Sequence, residues 1–386
     1  MAKRSIQAQA MASLVKKALV KKKVETDRNV NVWIHRVVQD AIKCNWSLEA
    51  RQSAFDRTCF CICRLFPQQI RGQSMIEQYQ DCAKYQSHLL ALEDFFTHHS
   101  EELTGIMEFS NTLANGGWYF FERGQTNTAY KLLETAEKIA LHLTQGEPCV
   151  TLGLIYNNIG AVWATRGDRK TGAEITGKAI EHREKCLSRD DPDIQELATS
   201  CSNYANHLRM LGRLDEAKEF YFKGLDIRRR CPGSTPELEE LTLSNTAGFF
   251  SEQPEKESLN LALKYIKQAL DLHPNCSKLS SYMLIIEYAC GKILASLGRY
   301  QEAYDVQNAC LKKRLDMESD SHYISGTSFH RTGCLAYQLS MDTGLSPRER
   351  LKHETEAVKM LRDARKTFLT NSREPGWPPR TSLKLS

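Results

Sequence analysis

The sequence of 386 residues lacks the features that mark several common protein classes. No apolar run reaches the roughly 18 to 20 residues needed to cross a bilayer, and the first residues do not have the pattern of a signal peptide. We therefore expect a chain that is neither membrane-spanning nor secreted. Its content of 41% hydrophobic and 26% charged residues is ordinary for a globular protein with a sizeable core.

Motifs for nucleotide chemistry and catalysis are also missing. The sequence contains no G-x4-G-K-[ST] phosphate loop and no acidic magnesium-binding strand after one. No Ser/His/Asp, Cys/His or paired-carboxylate arrangement stands out. We therefore predict that the chain is not an enzyme and that it uses no cofactor and no metal.

The 13 cysteines do not form a recognisable framework. Their number is odd, and they are scattered without a repeated C-x2-C pairing. The one cluster, "CFCIC", places Cys59 and Cys63 on one helix face and Cys61 off it. We interpret these residues as buried structural thiols rather than as a metal site. A reducing compartment follows, and we expect a cytoplasmic protein.

Positive charge is concentrated at the start of the chain. Residues 1–50 hold ten Lys/Arg against four Asp/Glu, whereas the remainder is nearly balanced. The run "KKALVKKK" at residues 16–23 could contact nucleic acid or an organelle import receptor, although a solvated face is the simpler interpretation. Because residues 1–24 are acid-free, Lys-rich and loosely amphipathic, mitochondrial import stays open as an alternative.

The most informative feature of the sequence is an internal repeat of 42 to 45 residues. Each repeat unit has a reference position that is often asparagine. A small residue follows two positions later. Farther along, the unit has a pair of small residues that are seven positions apart. The reference positions are Asn115, Asn158, Asn203, Asn245, Ala289 and Arg331. The small residues that follow them are Gly117, Gly160, Ala205, Ala247, Gly291 and Gly333. The pairs seven apart run from Ala129 and Ala136 to Ala357 and Ala364.

Each unit is predicted to be two helices joined by a short turn. Four units have a glycine where the first helix should end: Gly124, Gly167, Gly212 and Gly298. A spacing of seven residues puts both small residues of the second helix on one face, where a neighbouring helix can approach closely.

This pattern of small residues resembles the tetratricopeptide repeat, and the unit length is most similar to the long repeats of kinesin light chain. HEAT repeats share the length but not the pattern. The resemblance covers about residues 105–370, in about six units. It implies an all-α fold, a right-handed superhelical solenoid of antiparallel helix pairs, that binds a partner protein or peptide.

The asparagines point about 200° away from the small residue of their own helix, which directs them toward the inner groove of such a solenoid. An amide there can donate to and accept from an extended peptide backbone. In kinesin-light-chain-like repeats, asparagines at this position line the peptide groove, and the resemblance carries that role to Asn115, Asn158, Asn203 and Asn245. The alternative is that each asparagine bonds the neighbouring helix and sets the repeat spacing.

Further polar residues should lie around the same groove. The repeat geometry brings Asn157, Asn206, Arg209 and Lys292 toward it. Together with Arg331, the two basic residues Arg209 and Lys292 would favour an acidic ligand segment. We expect this groove to face solvent in the free protein.

Residues 1–50 follow a different pattern. Val30, Val32 and Ile34 alternate after the turn "ETDRN", which predicts a hairpin running into a helix near His35. With the basic helix before it, the segment is similar to a partial winged helix. "IHRVVQDAI" resembles the "HRLVQ" signature upstream of tetratricopeptide arrays in fungal NLR-like receptors of the STAND NTPase class, where the histidine senses a nucleotide phosphate. Without a phosphate loop, His35 is a sensor remnant only if another chain supplies the NTPase domain.

These patterns predict four segments: a partial winged helix over 1–50, bridging helices over 51–104, repeats over 105–370 and a disordered tail over 371–386. The resemblance implies an interaction module, the sensor or scaffold part of an NLR-like receptor, with a homo-oligomer or an NTPase-domain protein as further partners. We expect no membrane partner and no main role for nucleic acid. The alternative function is a DNA-binding winged-helix regulator with a repeat array as effector domain.

Overall fold

The computed structural model describes residues 46–70, 72, 74–272, 281–317 and 323–371, together with residues 13, 15, 16, 20–24 and 30–34. Strand β1 (Val20–Val24) pairs antiparallel with β2 (Val30–Ile34), with Val20 opposite Ile34. The predicted hairpin stays a prediction, because residues 25–29 between the two strands lie outside the described residues. The helix predicted to follow it near His35 lies outside the described residues, so the winged-helix assignment stays a prediction.

Within residues 46–98, which the structure describes apart from residues 71 and 73, two helices precede the repeats. Helix α1 spans Leu48–Leu65, and a 3-10 turn, Ile76–Gln78, leads directly into α2, which spans Tyr79–His98. Ser47 begins α1 because its hydroxyl accepts a hydrogen bond from the backbone N–H of Ala50 at 3.2 Å. Residues 76–98 are thus helical throughout, with the first three in the tighter 3-10 form.

Six helix pairs follow, and we number them repeat 1 to repeat 6. Their helices are α3 (Met107–Glu122) and α4 (Thr126–Thr144), α5 (Val150–Thr165) and α6 (Arg169–Cys186), α7 (Ile194–Met210) and α8 (Leu214–Arg230), α9 (Pro236–Ser251) and α10 (Lys256–Asp271), α11 (Ser281–Ser296) and α12 (Tyr300–Met317), and α13 (Tyr323–Ser340) and α14 (Pro347–Asn371).

The turns inside the repeats are short, so the two helices of a pair pack antiparallel. All four glycines predicted to end a first helix have a positive φ, between 73° at Gly124 and 92° at Gly167. Residues with a side chain rarely adopt this conformation. In repeat 2, Asp168 follows Gly167 and begins the second helix, because its carboxylate accepts from the backbone N–H of Thr171 at 3.0 Å.

The small residues lie where the two helices of a repeat approach each other most closely. A Cβ added to Gly160 in α5 would be 2.1 Å from the hydroxyl oxygen of Thr176 and 3.0 Å from the carbonyl oxygen of Gly172 in α6. A Cβ added to Gly172 would in turn be 3.0 Å from the carbonyl oxygen of Gly160. The predicted role of the small residues is therefore confirmed in this repeat.

Two repeats have longer connections between their helices than the other four. In repeat 4, α9 ends at Ser251 and α10 begins at Lys256. In repeat 6, α13 ends at Ser340 and α14 begins at Pro347, and α14 has 25 residues.

The chain divides into two compact units, Met1–Gln69 with Ser74–Gly146, and Ile70–Gln73 with Glu147–Ser386. This division falls between repeats 1 and 2, away from the predicted boundaries at 50, 104 and 370, which follow sequence pattern and stay predictions. The disordered tail was predicted over residues 371–386. Asn371 is the last residue of α14, and residues 372–386 lie outside the described residues.

Each unit has its own core. In unit 1, the rings of Phe55, Phe96 and Phe109 join α1, α2 and α3, with centroids 5.4 to 5.9 Å apart. In unit 2, a continuous cluster of buried side chains runs from Ala205 in α7 to Ala357 in α14. Among the described helices, none has the length and apolar character that a membrane crossing requires.

Candidate functional site

The predicted groove residues lie on the first helices of the repeats, but several are not open to solvent. We call Asn115, Asn158, Asn203 and Asn245 the asparagine row. Asn115 is 2% exposed and Asn158 is 1% exposed, and the neighbouring Asn157 is 3% exposed. Asn203 and Asn245 are partly buried. The expectation that the groove faces solvent in the free protein is therefore wrong for the side chains of Asn115, Asn157 and Asn158.

In unit 2, the asparagines bond one another between repeats. The amide oxygen of Asn157 in α5 accepts from the amide nitrogen of Asn203 in α7 at 3.0 Å and from the hydroxyl of Ser200 at 3.1 Å. The amide nitrogen of Asn157 donates to the amide oxygen of Asn158 at 3.3 Å. Repeats 2 and 3 are thus joined by buried amides, which is the spacing role that the sequence left open as the alternative.

In unit 1, the amide of Asn115 binds a backbone instead. Its oxygen accepts from the backbone N–H of Gln69 at 2.5 Å. Its nitrogen donates to the carbonyl oxygen of Asn111 at 2.7 Å, which fixes the orientation of the amide. Gln69 lies outside the helices, in the connection between α1 and the 3-10 turn. Asn115 therefore binds a non-helical backbone, as an asparagine in a peptide groove would. This backbone belongs to the chain itself, which the sequence pattern did not indicate.

Two predicted groove residues have structural partners. The amide oxygen of Asn206 accepts from the hydroxyl of Tyr221 at 2.6 Å, a contact between the two helices of repeat 3. Arg209 forms an ion pair with Glu252, which lies at the end of the first helix of repeat 4. The expectation that Arg209 offers a free positive charge to a ligand is corrected by this pairing.

The remaining candidates are in the later repeats of unit 2. Asn245 is partly buried and forms no hydrogen bond with another described residue through its amide. Lys292 is exposed and Arg331 is partly buried, and neither forms an ion pair within the part of the chain that the structure describes. Arg331 lines a surface depression together with Ala295, Ser296, Tyr300, Cys334, Leu335 and Gln338. These three candidates keep the polar groups that a ligand would need.

Three arginines that the sequence analysis missed occupy one repeated position, four residues after the second small residue of a second helix. They are Arg183, Arg228 and Arg314, and each is at most 4% exposed. Each donates to a hydroxyl on the first helix of the next repeat, three residues before the row position. Arg183 bonds Ser200, Arg228 bonds Thr242 at 3.2 Å, and Arg314 bonds Ser328 at 2.5 Å.

The buried arginines differ in how their charge is compensated. Arg183 also pairs with the carboxylate of Glu196 at 2.7 Å. The further hydrogen-bond partners of Arg228 are uncharged, namely the backbone and side-chain oxygens of Gln195 and the hydroxyl of Thr199, at 2.8 to 3.0 Å. Burial without a carboxylate partner lowers the pKa of Arg228 to about 10, so it is still a cation at neutral pH.

The residue at the arginine position of one repeat varies together with the residue at the hydroxyl position of the next repeat. Where repeat 1 has Ala140 at the arginine position, repeat 2 has Ile155 at the hydroxyl position. Where repeat 4 has His273, which lies outside the described residues, repeat 5 has Ile286. Aligning the repeats would therefore have revealed the arginines, because each occurs only before a repeat with Ser or Thr at the matching position.

The other predicted residues add no further site. His35 lies outside the described residues. The sulfur atoms of Cys59 and Cys63 are 3.7 Å apart on one face of α1, as their spacing predicts, and Cys61 is exposed. In the described ranges, no group of His, Cys, Asp or Glu side chains is arranged to hold a metal ion.

No protein-family model matches the sequence, and no curated protein matches it. Solved structures are similar in fold. BtubC (BKLC) from P. vanneervenii has a TM-score of 0.51 at 18% identity, covering 68% of this chain and 97% of its own. The apo form of the quorum sensor NprR from B. thuringiensis has a TM-score of 0.52 at 13% identity, covering 87% and 91%.

A STAND protein with a tetratricopeptide repeat sensor, PH0952 from Pyrococcus horikoshii, has a TM-score of 0.48 at 14% identity and covers 94% of this chain and 58% of its own. This likeness is too weak to carry an argument. The similarities to BtubC and to NprR concern the fold alone. With the antiparallel helix pairs and their small-residue contacts, they show that the chain is an array of tetratricopeptide-like helical repeats.

Proposed function

We propose that the chain is a protein-interaction module that binds an extended segment of a partner protein along the first helices of its repeats. The observation that carries this proposal is the hydrogen bond from the backbone N–H of Gln69 to the amide oxygen of Asn115. An asparagine of the row here holds a non-helical peptide backbone, which is the contact that a bound peptide would need. Asn245 offers the same group without a partner among the described residues.

The charges in repeats 5 and 6 favour a partner segment that contains Asp or Glu. Lys292 and Arg331 have no acidic partner among the described residues. Carboxylates bind such groups by charge-assisted hydrogen bonds, which are stronger than neutral ones. The partner in this proposal is therefore an extended segment with an acidic part.

A more specific role rests on the region before the repeats. The HRVVQ segment at residues 35–39 and the packed helices α1 and α2 are what a sensor or scaffold of an NLR-like receptor would have next to its repeats. In this proposal a separate NTPase-domain protein, or a second copy of the chain, completes the receptor. The free thiols of Cys59 and Cys63 fit a reducing compartment such as the cytoplasm.

The interaction proposal can be tested without a known partner. Phage that display random 12-residue peptides are selected on the full chain, and an enriched peptide is labelled for fluorescence anisotropy. We expect peptides rich in Asp and Glu. The double variant Lys292→Glu with Arg331→Glu should weaken binding of that peptide by about tenfold or more.

The matched control is Lys312→Glu with Lys359→Glu, which makes the same charge change on the exposed sides of the second helices of repeats 5 and 6. This control should bind within about twofold of the parent. Equal losses in both double variants would mean that net charge, not the groove, attracts the peptide. No enriched peptide at all would overturn the proposal.

DNA binding is the second candidate function, and the observation that favours it is the pairing of strands β1 and β2. Strand β1 carries Lys21, Lys22 and Lys23, a composition suited to the wing of a winged helix. Binding through phosphates weakens steeply with salt. A gel shift with duplex DNA at two salt concentrations tests this function, which is rejected if no shift appears at the lower one.

A further inference from the structure

Helix α1 carries two cysteines one turn apart whose sulfur atoms are in contact. The Sγ atoms of Cys59 and Cys63 are 3.7 Å apart and share a hydrogen bond. Cys59 is 0% exposed, whereas Cys63 is partly exposed. Cys59 is thus the buried thiol that its sequence pattern predicts, and Cys63 is not. The pair joins one thiol that solvent reaches to one that solvent does not reach.

This contact makes Cys63 the more acidic thiol of the two. The hydrogen bond from Cys59 lowers the pKa of Cys63 to about 7, although burial and the nearby carboxylate of Glu108 in α3 act in the opposite direction. The same hydrogen bond, together with burial, raises the pKa of Cys59. A substantial fraction of Cys63 is therefore thiolate at neutral pH, and the thiolate is the nucleophilic form of cysteine.

A lowered pKa, partial exposure and an adjacent second thiol are typical of cysteines that peroxides oxidise. We propose that Cys63 is an oxidation site for hydroperoxides and that Cys59 closes a disulfide with it. Cys61 lies between the two in sequence, but it is exposed and off their shared helix face. This modification site goes beyond the proposed function and does not depend on it.

The reaction balances with the peroxide as its oxidant. The Cys63 thiolate attacks one oxygen of the O–O bond, so that an S–O bond forms, the O–O bond breaks and hydroxide leaves from hydrogen peroxide. Cys63 is oxidised by two electrons to a sulfenic acid, and the peroxide is reduced. The Cys59 sulfur then attacks the Cys63 sulfur. The S–S bond forms, the S–O bond breaks, and the Cys59 proton leaves with the hydroxyl group as water.

Burial determines which sulfur reacts first. Because Cys59 is fully buried, a peroxide from solution reaches Cys63 before it reaches Cys59. The sulfenic acid then forms 3.7 Å from the second sulfur, so the disulfide needs no partner from another helix. Exposed Cys61 has no such neighbour on its own helix face, because only residues three or four apart meet there.

The disulfide does not fit a regular helix. Cβ atoms four residues apart on a helix are about 5 to 6 Å apart, whereas a disulfide needs about 3.5 to 4.5 Å. Closing the bond therefore distorts the turn of α1 between Cys59 and Cys63. Phe55 lies one turn earlier and packs against Phe109 of α3, with ring centroids 5.4 Å apart. Oxidation thus acts on α1 next to its contact with repeat 1.

Mass spectrometry tests the site on the full chain. All three cysteines of the cluster lie on one tryptic peptide, TCFCICR, residues 58–64. The reduced chain is treated with hydrogen peroxide, alkylated and digested. We expect this peptide to lose two hydrogen atoms and to take up one alkyl group, which fragmentation should place on Cys61.

Alanine variants separate the roles of the three thiols. Cys61→Ala is the matched control on the same helix and should form the disulfide at a rate within about twofold of the parent. Cys63→Ala should slow the oxidation of this peptide by at least about tenfold. Cys59→Ala should leave a sulfenic acid at Cys63, which dimedone traps. The result for the parent decides the proposal even if Cys59→Ala fails to fold.

Three results would overturn the proposal. One is a peptide that stays reduced and is alkylated at all three cysteines. Another is oxidation of Cys61 as fast as that of Cys63. The third is a sulfenic acid at Cys63 of the parent that never proceeds to the disulfide, since Cys59 would then have no part in the chemistry.

Amide hydrogen exchange measures the effect on α1. The N–H of Phe66 donates to the carbonyl oxygen of Ile62 at 2.8 Å, at the end of the helix. This amide should exchange at least about tenfold faster in the oxidised chain and return to its original rate after reduction with dithiothreitol. Exchange in α4 of the same unit should not change. Equal exchange of Phe66 in both forms would show that the disulfide leaves α1 undistorted and would overturn this part of the inference.

Discussion

The amide nitrogen of Asn203 donates to the amide oxygen of Asn157 at 3.0 Å, and this bond joins the first helices of two successive repeats. Ser200 donates to the same oxygen. An asparagine near the middle of an apolar helix is thereby explained by its neighbour in the next repeat. The same sequence pattern nevertheless leaves Asn245 without such a bond among the described residues.

This contrast predicts opposite effects of two asparagine substitutions. Asn157→Ala should lower the free energy of unfolding by about 1 to 3 kcal/mol, because the hydroxyl of Ser200 and the amide nitrogen of Asn203 lose the oxygen to which they donate. Asn245→Ala should change stability by less than about 0.5 kcal/mol and weaken binding of the phage-selected peptide. Urea denaturation and fluorescence anisotropy measure the two effects. Equal destabilisation by both substitutions would mean that the row is purely structural.

Two helical glycines provide a matched test of the repeat packing. Gly160→Ala should destabilise the fold by about 1 to 3 kcal/mol, because its Cβ would meet Thr176 and a carbonyl of the facing helix. Gly248 is also in a first helix, but an added Cβ there has no atom within 4 Å. Gly248→Ala should therefore stabilise by about 0.5 to 1 kcal/mol through helix propensity. Melting temperatures that shift in the same direction would argue against this packing.

The buried arginines predict a non-additive double-mutant cycle. Arg228→Ala should lower the unfolding free energy by about 3 to 5 kcal/mol, because the polar groups of Thr242, Gln195 and Thr199 lose their partner. Adding Thr242→Ile should recover part of this loss, since the pair then matches the Ala140 and Ile155 combination that the chain already uses. Urea denaturation of both single variants and the double variant measures the coupling. Strictly additive losses would show that the two side chains act independently.

One histidine predicts a defined loss of stability in acid. Burial lowers the pKa of His207 to about 4, whereas the unfolded chain has an ordinary value near 6.5. Between these values the unfolded chain binds a proton that the folded chain does not, so stability falls as the pH falls. The expected loss from about pH 7.5 to about pH 5 is roughly 2 kcal/mol.

The variant His207→Leu should remove this contribution, and His142→Leu, at an exposed position of α4, should not. Comparing the change in unfolding free energy between the two pH values isolates the histidine from the other titrating groups. An unchanged pH dependence in His207→Leu would show that His207 already takes up its proton in the folded chain.

Much of the fold could be predicted because it depends on spacing. Small residues such as Gly160 and Gly172 are needed wherever two helices approach closely, and the same requirement recurs from repeat to repeat. The glycine turns follow from a backbone conformation that few other residues adopt, as Gly167 illustrates.

The candidate site was harder to predict because burial depends on what covers a residue. The periodicity correctly places Asn115 on the first helix of repeat 1, but it contains no information that Gln69, 46 residues earlier, binds it. The connection that contains Gln69 lies outside the repeats and has no counterpart in them to align with. Arg183 was missed for another reason, since a lone arginine in a second helix is more often a surface residue, and only comparison with Ser200 reveals its role.

The matched arginine and hydroxyl positions limit how such a chain can gain or lose units during evolution. Excision of repeat 3 would bring Arg183 opposite Thr242, a combination that preserves the donor and acceptor. Excision of repeat 4 would instead bring Arg228 opposite Ile286, leaving a buried cation against an aliphatic side chain. We therefore expect the loss of a repeat to be tolerated at some junctions and to destabilise the chain at others, so that the order of the repeats matters as well as their number.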